Sequence, residues 1–229
     1  MSLLSSVEAL WQESAGVAID FRPGEVTVVV TTGSQWCPPG WSGLVRLGTA
    51  TAVTVPDVAA AERVRRVASR FGRLDRDALQ EDGVTAFLGP ARLDYLDRSA
   101  FRPIDGVEVE QVDKNDPGVA ALLAATGDDA HESGIAGITS PAFVVRVDDE
   151  IVSVSGYNLW LRSTAHMCLL SHPDHRGRGW AGAVASAATR HALAARLLPQ
   201  WRARITPSHR IADRLGYEPI GYQLSFAAS

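Results

Sequence analysis

The chain has 229 residues, 46% of them hydrophobic and 21% charged, the make-up of a globular protein with room for one large domain or two small ones. A net charge of -4 leaves no basic footprint for nucleic acid, and no apolar run reaches the length of a membrane span. The opening Met1-Ser2-Leu3-Leu4-Ser5-Ser6 lacks the basic start of a secretory signal, and Cys37 and Cys168 stand far apart in no metal pattern. These features predict a reduced, cytoplasmic protein with no nucleic-acid partner, no membrane partner and no metal.

Residues 3–13 suit a short helix, and the β-branched run Glu25–Thr32 suits a strand. The turn-rich segment Gly33–Gly43 follows, with Trp36 and Trp41 around Pro38 and Pro39, either packing or covering a cleft. Thr49–Val55 reads as a strand. Asp57 can then cap a helix with the apolar stripe Val58, Ala61, Val64, Val67, Ala68 and Phe71. Val84–Leu88 reads as a strand that Arg92–Leu96 continues beyond Pro90, and Arg98–Pro103 is the best domain boundary. The expected division is an α/β extension over 1–103 and a second domain over 104–229.

In the second part, Val107–Val112 predicts a strand, Pro117–Ala125 a helix with Pro near its start, and Gly127–Gly134 an acidic irregular stretch. Ala142–Val147, Ile151–Trp160 and Ala165–Leu170 read as sequential antiparallel strands. The Ala-rich segment Gly182–Leu198 reads as a long helix crossing to a strand at Trp201–Ile205, parallel to the one before it. Ser208–Leu215 suits a short helix and Pro219–Phe226 a last strand.

Between the Ala165–Leu170 strand and the long helix lies Arg176-Gly177-Arg178-Gly179-Trp180-Ala181. A glycine-bearing loop that opens a helix points backbone N–H groups outward together, and with the positive end of the helix dipole it favours an anionic phosphate. The loop lacks the Lys-Ser/Thr ending of a P-loop and does not fit Gly-x-Gly-x-x-Gly. It does fit Arg-x-x-Gly-x-Ala, with Pro173 ahead of it and Thr206-Pro207-Ser208 and Leu215-Gly216-Tyr217 behind. On these residues, roughly 105–226, the sequence resembles the GNAT superfamily of acyl-CoA-dependent N-acetyltransferases.

The resemblance implies a mixed, mainly antiparallel sheet with a splayed central pair of parallel strands, flanked by helices. It implies acetyl-CoA as co-substrate. Backbone groups of Leu169, Leu170 and Ser171 would bind the pantetheine arm, and Arg176, Gly177, Arg178, Gly179, Trp180 and Ala181 the pyrophosphate. The Arg176 and Arg178 side chains either add contacts or are surface charges. The implied reaction is direct attack of a small primary amine on the thioester in a ternary complex.

The sequence departs from the family at Ala212, where many members carry a Tyr that protonates the leaving thiolate, and at Thr206, where they carry Asn. These departures keep a second reading open, a catalytically impaired acyl-CoA-binding module with a regulatory or interaction role. His166 is a candidate base at the start of the splayed strand, or a half-exposed strand histidine. Glu132 is a candidate base or holder of the cationic amine, or a solvated loop charge. Tyr157 either lines the substrate pocket or packs. Edge strands leave a homodimer open.

Overall fold

The structure is a computed structural model that describes residues 2–227. It divides into two compact units, one of residues up to Leu93 with those from Pro219 onward, the other Asp94–Glu218. Among the described residues no helix is long and apolar enough to cross a membrane.

In the first unit, α1 (Leu3–Ser14) starts at Ser2, whose hydroxyl accepts the Ser5 N–H. β1 (Val26–Val30) lies parallel to β3 (Ala50–Val55), which forms a hairpin with β2 (Ser42–Leu47). The sequence reading missed β2, because all its residues except Arg46 are buried and a strand covered on both faces shows no alternation. α2 (Val58–Phe71) is capped by Asp57 as expected and turns Ala61, Val64 and Val67 inward, but Val58 at its first position is exposed. α3 (Arg76–Glu81), capped by Asp75, was not anticipated. β4 (Ala86–Tyr95) runs unbroken through a cis Gly89–Pro90 peptide. Trp36 is buried in this unit, its indole N–H donating to Ser14 Oγ at 2.8 Å, and it packs edge-on against Trp11.

The second unit contains β5 (Glu110–Val112), α4 (Pro117–Ala125), α5 (Asp128–Ser133), β6 (Ala142–Val147), β7 (Glu150–Trp160), β8 (Thr164–Ser171), α6 (Trp180–Ala194), β9 (Leu198–Ala203) and α7 (Thr206–Leu215). β10 (Glu218–Ala227) pairs antiparallel with β2. The strand order within the second unit is β9-β8-β7-β6-β5. β5 through β8 are antiparallel neighbours, and β8 and β9 are parallel.

Two expectations need correction. The stretch expected to be irregular forms α5, closed by Gly134 at φ 71°. The long helix begins at Trp180 and ends at Ala194, so β9 starts at Leu198. Its end is made by Arg196 at φ 58°, with the Leu197 N–H returning to Ala192 O, a left-handed stop without the usual glycine to announce it.

The small residues of α6 explain its place. Ala183, Ala185, Ala188 and Ala192 are buried, which brings the helix close to the sheet over Phe143, Tyr157 and Met167. On the other side, Val119 and Leu122 of α4 pack with Ile135, Val154, Cys168 and Leu170. Gly134 holds α5 down: a Cβ there would lie 2.8 Å from Cys168 Sγ. Gly134→Ala is therefore expected to destabilise the protein by about 1–3 kcal/mol, read as a lower urea midpoint. Combining it with Cys168→Ala should cost less than the sum of the two single changes, because the clash is shared.

Candidate functional site

β8 and β9 pair only at Thr164↔Leu198, Ala165↔Pro199 and His166↔Gln200. Beyond that point the register is not continued, and Met167–Ser171 keep β7 as their ladder partner on one side. The strands therefore part at His166 and Gln200. Alternation assigns the faces. Ala165, Met167, Trp201 and Ala203 belong to the core beneath α6 and α7. His166, Cys168, Gln200, Arg202 and Arg204 lie on the opposite face, where α5 packs on β8.

His166 sits at the last paired position, its Nδ1 2.7 Å from Gln200 Oε1. The amide of Gln200 is buried and donates from Nε2 to the Tyr95 hydroxyl at 2.5 Å. Across β7 the neighbour of His166 is Asn158. Burial, reinforced by the positive charge of Arg202 and opposed by the Gln200 hydrogen bond, holds the His166 pKa down to about 4. The ring is neutral at pH 7. Beside it, burial pushes the Cys168 thiol up to about 11, so it is no nucleophile at neutral pH.

α5 is tied on both flanks. Glu132 meets Arg204, just past the end of β9, at 2.8 Å, and Asp129 meets Arg176 of the loop after β8 at 2.6 Å. The fold thus brings Glu132 to the His166 side of the sheet. It places Tyr157 elsewhere: its cross-strand partner is Met167, it is buried under α6, and its hydroxyl lies 2.9 Å from His191 Nδ1.

The segment 171–181 leaves β8 through a tight turn at Pro173–His175. His172 Nδ1 accepts the Asp174 N–H, and His175 stacks on Trp180 with ring centroids 5.7 Å apart. The guanidinium of Arg178 covers the same indole. Trp180 thus clasps the loop. Gly177 (φ 79°) and Gly179 (φ 84°) both have left-handed backbone, and a Cβ at either would meet nothing within 4 Å. No side chain caps α6, and its first helical N–H bonds are those of Gly182 and Ala183 to Gly179 O. The amides of Trp180 and Ala181, which precede that first bond, are donors of the kind that bind anions at a helix start.

Two positions singled out for departing from the family pattern supply no acid. Ala212 is wholly buried in the core, and Thr206 opens α7 with no side-chain cap formed by the residue before it. Ser208 Oγ accepts the Trp201 indole N–H at 2.9 Å. Sequence reasoning missed Gln200, Tyr95 and Arg202. The signal for Gln200 was present, an amide between Pro199 and Trp201 in an otherwise apolar strand.

Residues 140–223 match the family model described as GNAT acetyltransferase. A GCN5-related N-acetyltransferase from Kribbella flavida is similar over 99% of this chain and 95% of its own, at 14% identity and a TM-score of 0.57. An acetyltransferase from the GNAT family from Colwellia psychrerythraea is similar over 100% and 98%, at 11% identity and a TM-score of 0.54. A GCN5-related N-acetyltransferase-like protein from Streptococcus suis gives 82% and 84% coverage, 16% identity and a TM-score of 0.51. No curated protein matches the chain. At these identities the structures establish the fold: it is that of the GNAT superfamily.

The depressed His166 pKa has a consequence for stability. The unfolded chain takes up this proton near pH 6.5 and the folded chain only near 4, so the stabilisation is complete above 6.5 and is lost as pH falls towards 4. The expected slope from this group is about 1.4 kcal/mol per pH unit. Urea melts of wild type and His166→Gln at pH 7, 5.5 and 4.5 should show the variant losing stability less steeply. Parallel curves would show that His166 titrates normally.

Proposed function

We propose that this chain, whose residues 140–223 match the GNAT acetyltransferase family and whose fold is that of the superfamily, transfers an acetyl group from acetyl-CoA to a primary amine of a small molecule. Attack is direct, in a ternary complex. The observation that carries this reading is the loop Arg176–Ala181: two left-handed glycines with open space above them, at the start of a helix that no side chain caps, just past the parting of β8 and β9.

These residues fit the co-substrate. Amides of Gly177 to Ala181 would hold the diphosphate, and charge-assisted bonds of about 1.5–3 kcal/mol each suffice for micromolar binding. Backbone groups of Leu169, Leu170 and Ser171, on the β8 edge that β9 leaves, would hold the pantetheine amides. When bound, acetyl-CoA supplies an acyl carbon activated as a thioester. His166, neutral at pH 7, receives through Nε2 or a water the proton that leaves the amine nitrogen as its bond to carbon forms. Glu132, an exposed carboxylate on the same face, draws in the ammonium form of the acceptor. The leaving sulfur takes its proton from water, since the usual Tyr position is Ala212.

We assign this activity to residues 104–229 and place the protein in the cytoplasm. A second reading, a binding module that holds acyl-CoA without turnover, is favoured by one observation: the position at which many family members carry the tyrosine acid is a wholly buried alanine, Ala212.

Calorimetric titration with acetyl-CoA tests the grip. Wild type should bind at micromolar Kd. Gly179→Ala, which places a methyl on a left-handed residue facing the diphosphate, should bind about tenfold more weakly. Asp129→Asn frees Arg176 from its ion pair and should bind a few-fold more tightly, about 0.5–1 kcal/mol. Absence of binding to wild type sinks both readings. Binding without turnover of any amine in a broad panel selects the second.

A further inference from the structure

We infer that Gln200, anchored by Tyr95, is a positioning residue that holds His166 in its Nδ1–H tautomer and so presents Nε2 as a proton acceptor where β8 and β9 part. This rests on the acetyl-transfer reading given above and deepens it. A neutral imidazole has one N–H and one lone pair, and the neighbour of either nitrogen decides which is which. Gln200 Oε1 can only accept, so Nδ1, 2.7 Å away, must donate to it. The lone pair is then on Nε2, for which the described residues offer no hydrogen-bond partner.

The amide of Gln200 is 2% exposed, with Nε2 turned to the Tyr95 hydroxyl at 2.5 Å, and in this orientation Oε1 is the end that faces the ring. A buried amide is tolerated only when both ends are bonded, and here both are. Hydrophobic residues would fill a strand interior at less desolvation cost, yet this amide stands between Pro199 and Trp201 at the last register pair before the opening. The bridge is therefore the final cross-strand link between β8 and β9, and it ends on the ring.

The charged and titratable groups around His166 are few. Arg202 of β9 pushes its pKa down, Cys168 is its neighbour two residues along β8, and Tyr95 lies behind Gln200. β7 contributes the neutral Asn158 opposite. α5 on this face carries Asp128, Asp129, His131 and Glu132, of which Asp129 and Glu132 are paired to Arg176 and Arg204. The hydrogen bond from Nδ1 is the contact that sets the tautomer.

The test is nitrogen NMR of the intact, ligand-free protein, for wild type, Gln200→Glu and Gln200→Asn, with pH–rate profiles of acetyl-CoA turnover on a mixed primary-amine panel. Wild type at pH 7 should show Nδ1 protonated and Nε2 bare. Gln200→Glu puts a carboxylate against Nδ1–H and should raise the His166 titration midpoint by about one unit or more. The acid limb of kcat/KM should rise with it. Gln200→Asn withdraws the acceptor without adding charge; it should yield mixed tautomers and about tenfold lower kcat with KM for acetyl-CoA little changed. The Asn variant carries the test if the Glu variant does not fold. A bare Nδ1 in wild type, or a single unchanged tautomer in Gln200→Asn, overturns the inference. If the NMR results hold but the acid limb does not follow the midpoint, His166 is not the base, and the reaction step assigned to it fails instead.

Discussion

Much of the second unit depends on two parallel strands that stop pairing. β8 and β9 share a ladder only as far as His166 and Gln200. Backbone donors and acceptors that lose a ladder partner require another or water. Trp201 and Ala203 are drawn into the core with Ala212, Leu215 and Tyr217, and the Trp201 indole is tied to Ser208 at the start of α7. On β8, Cys168 and Leu170 are drawn the opposite way, into the cluster under α4. Alternation gives β8 two faces: Ala165 and Met167 share the core beneath α6 with Trp201 and Ala203, while Cys168 and Leu170 turn to the other side.

The same division sorts the charges. The chain is acidic overall, at -4, yet Arg176, Arg202 and Arg204 gather around the parting, and the acids of α5 answer two of them. Such exposed pairs contribute little stability, about 0–1 kcal/mol each. Their effect is on placement. Asp129 and Glu132 are on one six-residue helix, and their arginines lie on the loop after β8 and just past β9, so the helix is tied to the chain at both strand ends. Gly134 sets how close it can come, since only a residue without Cβ fits against Cys168.

Legibility in the sequence followed the length scale of the cause. The strands β6, β7 and β8, the Pro-started α4, the Asp57 cap and the parallel crossover through α6 are written in local pattern and could be read directly. So could the glycine loop before α6, because two left-handed glycines at a strand-to-helix junction have a local reason to be there. β2 was hidden because burial on both faces removes alternation, and the end of α6 because Arg196 takes a left-handed conformation that ordinarily marks glycine. The Tyr95–Gln200–His166 chain was out of reach for a different reason. It joins residues 105 positions apart, and only the register of β9 reveals it. Tyr157 shows the converse: a strand tyrosine has two faces open to it, and pairing with Met167 puts it under α6.

The proposed chemistry has His166 as a weak base and no tyrosine at position 212 as acid. A ring whose pKa is held near 4 is poorly matched to an ammonium near 10, a gap of about six units and roughly 8 kcal/mol. Within the proposed reaction, His166 therefore does not strip the free ammonium. It acts once bond formation has made the nitrogen acidic, and solvent removes the first proton. In the proposed reaction that division of labour would suit acceptors whose amines are already partly neutral at pH 7, such as α-amino groups near pKa 8, better than side-chain amines of the lysine type. Ala212 reinforces the preference: with no tyrosine to protonate the leaving sulfur, the site gains most when the nucleophile arrives needing the least proton transfer. Within the proposed reaction, a low-pKa imidazole and an alanine at position 212 both leave proton transfer to solvent, which suits weakly basic amines.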